Sequence, residues 1–156
     1  MNDPIVGAAH RALDEAFATL RRAVRDLPAE ALNWRPAGPD TNSIAVLTSH
    51  AMHATRLLVT MAAGLPLPPR DRPAEFAAVV EGPERLLRLV DELAADCAAV
   101  LDAAGPVEWS ALRRRRRDDG EIVEMSAADA LFHAVGHLRG HADEAALTRH
   151  FWTAQA

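Results

Sequence analysis

The chain has 156 residues, of which 49% are hydrophobic and 25% charged, and its 17 basic and 22 acidic residues leave a net charge of −5. This balance fits one globular domain over residues 1–156 and disfavours a dedicated nucleic-acid binder. No apolar run reaches the roughly 18 residues of a membrane span, and the single cysteine, Cys97, excludes a disulfide framework or a multi-cysteine metal site. The start, Met1-Asn2-Asp3-Pro4, lacks the basic and apolar regions of a secretory leader, so a cytoplasmic protein is expected.

Every basic residue is arginine, and alanine is abundant. Both are strong helix formers, which points to an all-α chain. The first helix is expected from Pro4 to about Asp26, with Asp3 as N-cap and Pro4 in the first turn. Leu13, Phe17, Leu20 and Val24 repeat at helical spacing along it. Residues 28–42 carry prolines and a glycine and are expected to be loop. A second helix starts near Asn42 or Ser43 and stops at Gly64. The proline-rich segment from Leu65 to Pro73 is expected to be loop, followed by a helical turn over Phe76–Val80. The third helix runs from Pro83 to about Ala103. Residues 107–125 are expected to be irregular or weakly extended. A fourth helix starts at Ser126, whose pairing with Asp129 resembles a capping box, and runs to about Trp152. Four amphipathic helices of this length predict a four-helix bundle.

The placement of the seven histidines is the most informative feature. Each residue advances about 100° around a helix. On the second helix, His50 falls within the apolar arc and His53 near its edge. On the fourth, His141 lies closest to the apolar face, His137 next, and His133 furthest out. Residues at i and i+4 share one face of a helix, the spacing by which one helix offers two imidazoles to one metal. A third imidazole from a neighbouring helix completes a three-histidine site suited to Zn²⁺ or another borderline divalent ion. A single core-facing histidine is ordinarily only a hydrogen-bonded core residue. Three inward-facing candidates on two helices, two of them at ligand spacing, argue for more. His10 and His150 are expected at or near the surface. His53 and His133 are expected at the surface or beside a ligand, orienting it.

Three segments strengthen this view. Asn33-Trp34-Arg35-Pro36 is followed by Asn42-Ser43-Ile44-Ala45-Val46-Leu47-Thr48-Ser49-His50. Leu131-Phe132-His133-Ala134-Val135-Gly136-His137-Leu138-Arg139-Gly140-His141 lies in the last helix. Arg72-Pro73-Ala74-Glu75-Phe76 follows the proline loop. In order and spacing, these resemble the DinB/YfiT superfamily of small metal-binding four-helix proteins. The resemblance implies His50, His137 and His141 as metal ligands, a bundle with non-standard helix order, and a homodimer. Where members often follow the final ligand with Gly-Gln, this chain has Ala142-Asp143-Glu144.

One divalent ion, Zn²⁺ or Ni²⁺, on three neutral ligands would keep its full charge and acidify a bound water or thiol. The superfamily includes S-transferases and maleylpyruvate isomerase relatives that use bacillithiol, mycothiol or glutathione. The resemblance therefore implies a metal-dependent S-transferase with a small thiol and an electrophilic substrate as partners. Two alternatives stand beside it. One is a metal-dependent hydrolase with Glu144 as general base. The other is a non-catalytic, metal-stabilised binding or stress-response protein. Arg113 to Arg117 is expected to be a solvated strap, partly neutralised by Asp118, Asp119 and Glu121, rather than an anion site. Without interleaved aromatics it makes a poor nucleic-acid footprint. Cys97 is expected to be a small core residue, and Trp34, Trp109 and Trp152 to be core or loop anchors.

Overall fold

The computed structural model describes residues 3–117 and 119–155; Asp118 lies outside the described residues. Four long helices form the bundle: α1 (Pro4–Val24), α3 (Ile44–Ala63), α5 (Pro83–Ala103) and α6 (Ala127–Thr153). Two short helices, α2 (Ala29–Asn33) and α4 (Arg72–Phe76), and a two-stranded hairpin, β1 (Leu112–Arg116) and β2 (Ile122–Ser126), fill the connections. Among the described residues, no helix is long and apolar enough to cross a membrane.

The helix starts obey the local chemistry of the sequence. Asp3 Oδ1 accepts the Ile5 N–H at 2.8 Å, and Ser43 Oγ accepts that of Val46. Ser126 and Asp129 form the reciprocal capping box. At the far end of α1, Arg149 of α6 donates to the carbonyls of Arg22, Ala23 and Arg25. A cation there satisfies carbonyls the helix cannot bond itself and complements its dipole.

The core stripe of α1 is Ala9, Leu13, Ala16, Phe17, Leu20, Ala23 and Val24; that of α5 is Leu86, Val90, Leu93, Cys97 and Leu101. Helix α3 is different, because only Ser49, His53, Arg56 and Ala63 escape full burial. It packs against α5, α6, α4 and α2, so it needs apolar residues almost all round rather than one stripe. Its buried Thr55 and Thr60 hydroxyls are satisfied by donating one turn back, to Ala51 and Arg56 carbonyls. Helices α1 and α3 each pack chiefly on α5 and α6. The order around the bundle is therefore α1, α6, α3, α5, with successive long helices α1 and α3 on a diagonal.

Two connections differ from the sequence expectation, and a third, expected to be irregular or weakly extended, is a regular extended hairpin. Residues 28–42 contain α2 and a 3₁₀ turn over Gly38–Asp40, because Pro28 presets the chain for a helical start. The helical turn expected over Phe76–Val80 lies earlier, at Arg72–Phe76. Asp71 caps it by accepting the Ala74 N–H at 3.0 Å, whereas Val80 is held in both directions by the Asn33 side-chain amide. Residues 112–126 form an antiparallel hairpin in which Arg113 faces Met125 and Arg115 faces Val123.

Gly64 ends α3 in the left-handed region, at φ 73°. A Cβ there would also approach the Arg113 guanidinium to 3.0 Å. Gly64→Ala is expected to destabilise the protein by about 1–2 kcal/mol through backbone strain alone, read as a lower denaturation midpoint in urea; an unchanged midpoint would contradict this role.

Candidate metal centre

The neighbouring helices α3 and α6 bring His50, His137 and His141 together. Their ring centroids are 5.0 Å apart for His50 and His137, 5.3 Å for His50 and His141, and 4.5 Å for His137 and His141. One candidate ligand atom from each lies within 4.8 Å of the other two, so the cluster could hold a metal ion. His50 is buried; His137 and His141 are half-buried.

A carboxylate that sequence reasoning left without a role organises this cluster. Glu75 of α4 is 3% exposed. Its Oε2 lies 3.0 Å from His50 Nδ1, and Arg70 grips both its oxygens at 2.7 Å. Burial pushes the Glu75 carboxyl up. The hydrogen bonds from His50 and Arg70, with the positive charge of Arg70, outweigh burial and hold its pKa below the ordinary value. An ionised carboxylate can only accept, so His50 Nδ1 donates and Nε2 is left as a bare lone pair. His141 Nδ1 is likewise engaged by Glu144 Oε2 at 3.0 Å. Phe76 packs on the His50 ring, with centroids 4.5 Å apart.

The His50 and His137 Nε2 atoms lie 3.2 Å apart, and the buried His137 Nδ1 has no hydrogen-bond partner among the described residues. Either assignment of the His137 proton leaves a polar atom unsatisfied: an orphaned Nδ1 lone pair, or two Nε2 lone pairs facing each other. A cation between the rings removes the second conflict. Two nitrogens bound at 2.0–2.1 Å to a tetrahedral ion stand about 3.3 Å apart, so the donor set fits one.

The other candidates occupy different places. His133 and His137 have ring centroids 5.9 Å apart, and both line a cavity of about 690 Å³ together with His50. His53 lines a separate cavity of about 650 Å³, on which Arg70 and Glu75 also border. His10 Nε2 lies 3.1 Å from Asp102 Oδ1, outside the cluster, and His150 is exposed near the end of α6. Glu144 is committed to His141 and so holds a ring rather than standing free as a base. Cys97 is buried, and burial with the nearby Asp96 charge pushes its thiol up to about 12. The chain's own sulfur is therefore no nucleophile at neutral pH. The arginine strap is not simply solvated: Arg115, Arg116 and Arg117 line the 690 Å³ cavity beside the histidines. Partial neutralisation does occur, at Arg117 by Glu121 and at Arg114 by Glu124.

The sequence matches the DinB superfamily over residues 12–145, and the chain belongs to that superfamily. Its fold is similar to that of a conserved protein from Enterococcus faecalis, with a TM-score of 0.72 and 17% identity over 94% of this chain and 96% of that one. It is also similar to a variant of the mycothiol-dependent maleylpyruvate isomerase, with a TM-score of 0.59 and 16% identity over 88% of this chain. The match spans only 59% of the isomerase chain. No curated protein sequence matches the chain.

Two expectations follow. Burial, then the charges of His141, His50, His133 and Arg70, push His137 down to about 4; burial also lowers His53. Unfolded histidines take up protons near 6.5 whereas folded His137 resists until about 4. Stability of the metal-free protein should therefore rise with pH from about 4 to 6.5 and level off above it. Urea midpoints measured in chelator across that range test this; a flat or falling profile would contradict it. Glu75→Gln leaves Arg70 without its counter-charge and should cost about 3 kcal/mol of stability, read by the same denaturation; a change under about 0.5 kcal/mol, the size of an ordinary surface substitution, would contradict the clamp.

Proposed function

We propose that the protein holds one divalent metal, zinc or nickel, on the Nε2 atoms of His50, His137 and His141, and that it is an S-transferase working with a low-molecular-weight thiol. The convergence of the three imidazoles, with two ring nitrogens at 3.2 Å, carries the proposal. When bound, such an ion lowers the pKa of a coordinated thiol or water so that the anion exists near neutral pH.

The residues of the chain do the rest. Glu75, fixed by Arg70, holds His50 in the tautomer whose Nε2 is free to ligate. Glu144 does the same for the more exposed His141. The low pKa of His137 keeps it neutral, as a ligand must be. The cavity, shared by His50 and His137, offers room for a small molecule beside them and is within the usual size of ligand sites. Three protein ligands leave a coordination position open, the hallmark of catalytic rather than structural sites. The buried thiol of Cys97 supports a thiol supplied from solution. Superfamily membership and the likeness to a mycothiol-dependent isomerase support the same chemistry. We extend the proposal to a cytoplasmic homodimer.

Elemental analysis of protein purified without added metal should find close to one divalent ion per chain. His137→Ala should abolish this, and His150→Ala should retain it. Glu75→Gln should weaken metal affinity about 10–100-fold. Mycothiol, bacillithiol or glutathione should perturb the spectrum of the Co²⁺-substituted site and promote conjugation of an aryl halide. Metal without either thiol response would overturn the transferase and favour a non-catalytic, metal-stabilised role. Slow ester cleavage abolished by chelation would favour a hydrolase.

A further inference from the structure

The cavity beside the histidines is strongly one-sided in charge. Five arginines line it: Arg70 and Arg72 around the start of α4, and Arg115, Arg116 and Arg117 from the end of β1 and its turn. Among the described residues, Asp119 is the only acidic one in its lining. This surplus stands out on a chain whose net charge is −5, so it does not reflect a generally basic surface.

Not all five cations are equally available. Arg70 is bound to Glu75, and Arg117 is paired with Glu121. Arg72 lies with its guanidinium carbon 5.0 Å from the centroid of Phe76, the ring that packs on His50. Arg116 donates to the Gly120 carbonyl, which leaves its charge uncompensated by that bond. Neither Arg72 nor Arg116 has a carboxylate partner among the described residues. Both are exposed at the cavity. Asp119 is itself engaged, accepting the Glu121 N–H at 2.9 Å.

Guanidinium groups match carboxylate and phosphate oxygens in a planar fork. In a concave site walled by Ala54, Leu57, Leu58 and Leu67 their field is focused rather than dispersed into bulk water. A cavity of about 690 Å³ suits a small molecule rather than a strand of nucleic acid, and among the described residues its lining has no Phe, Tyr or Trp on which bases would stack.

We infer that the substrate of this cavity is a small oxyanion, carrying a carboxylate or phosphate group that Arg72 and Arg116 bind while the rest of the molecule lies toward the histidines. This rests on the cavity being the substrate site of the proposed metal centre. It adds the substrate class: anionic small molecules, with neutral analogues excluded. It also gives the arginine-rich hairpin a task, as the element that brings positive charge to one wall of the site.

Calorimetric titration of the full chain, in metal-loaded and chelator-treated forms, tests this with succinate, inorganic phosphate and neutral succinamide. The proposal expects binding of succinate or phosphate that weakens with added salt in both forms, and none of succinamide. The tighter of the two anions identifies the anchoring group. Arg72→Ala/Arg116→Ala should weaken anion binding at least 10-fold, and Arg139→Ala, outside the cavity, should not. Succinamide binding as tightly as succinate, no binding of either anion, or indifference to the double substitution would overturn it. The comparison of succinate with succinamide on the unaltered chain keeps the test decisive even if the double variant folds poorly. Metal content, measured on the same samples, reports separately on the metal centre: a metal-loaded protein indifferent to ligand charge would refute the anion site alone.

Discussion

The contact on which the site depends is a buried carboxylate held between a guanidinium and an imidazole N–H. Glu75 could not remain ionised at 3% exposure by itself. Arg70 supplies a two-point counter-charge and the His50 N–H supplies the remaining hydrogen bond. That arrangement fixes which nitrogen of His50 carries the proton, and therefore which one faces His137. A four-residue shift of α4 toward Phe76–Val80 would take Glu75 out of the helix that positions it. The cap by Asp71 and the anchoring of Val80 by Asn33 thus matter to the site as well as to the fold.

The bundle supplies the second constraint. With α1 and α3 on a diagonal, the long helix bearing His50 lies directly against the one bearing His137 and His141. Chain ends and caps stiffen this pairing from outside. Arg149 of α6 closes the C-terminus of α1, Trp34 meets Trp152 edge-on at 5.6 Å, and Trp109 donates to Asp3, the residue that caps α1. The same motif segment that carries Trp34 also carries Asn33, which fixes Val80, and Arg35, which donates to the Thr41 carbonyl at 3.1 Å. These residues anchor loops, and they stand apart from the histidine cluster.

Much of this is legible in the sequence. Helix spacing separates His50, His137 and His141 from His10 and His150, because metal-ligand geometry and burial both act through the helical period. Ser126, Gly64 and Pro83 mark helix ends through local hydrogen bonding and φ alone. The parts that escaped depend on contacts distant in sequence. Glu75 looks like any surface acid in a proline-rich connector until Arg70 and His50 close around it. The run from Arg113 to Arg117 carries no apolar alternation, so its hairpin is invisible to a hydrophobicity pattern; the pairing with Val123 and Met125 makes it a strand. The near-complete burial of α3 likewise follows from its being surrounded, and Thr48, Thr55 and Thr60 do not announce it.

The account stands on the three imidazoles sharing one ion. X-ray absorption at the edge of whichever metal the purified protein carries measures that directly. It should show three imidazole nitrogens at about 2.0–2.1 Å, with a remaining position filled by a light oxygen donor from solvent. A first shell with fewer than three imidazoles, or one dominated by carboxylate or sulfur donors, would contradict it.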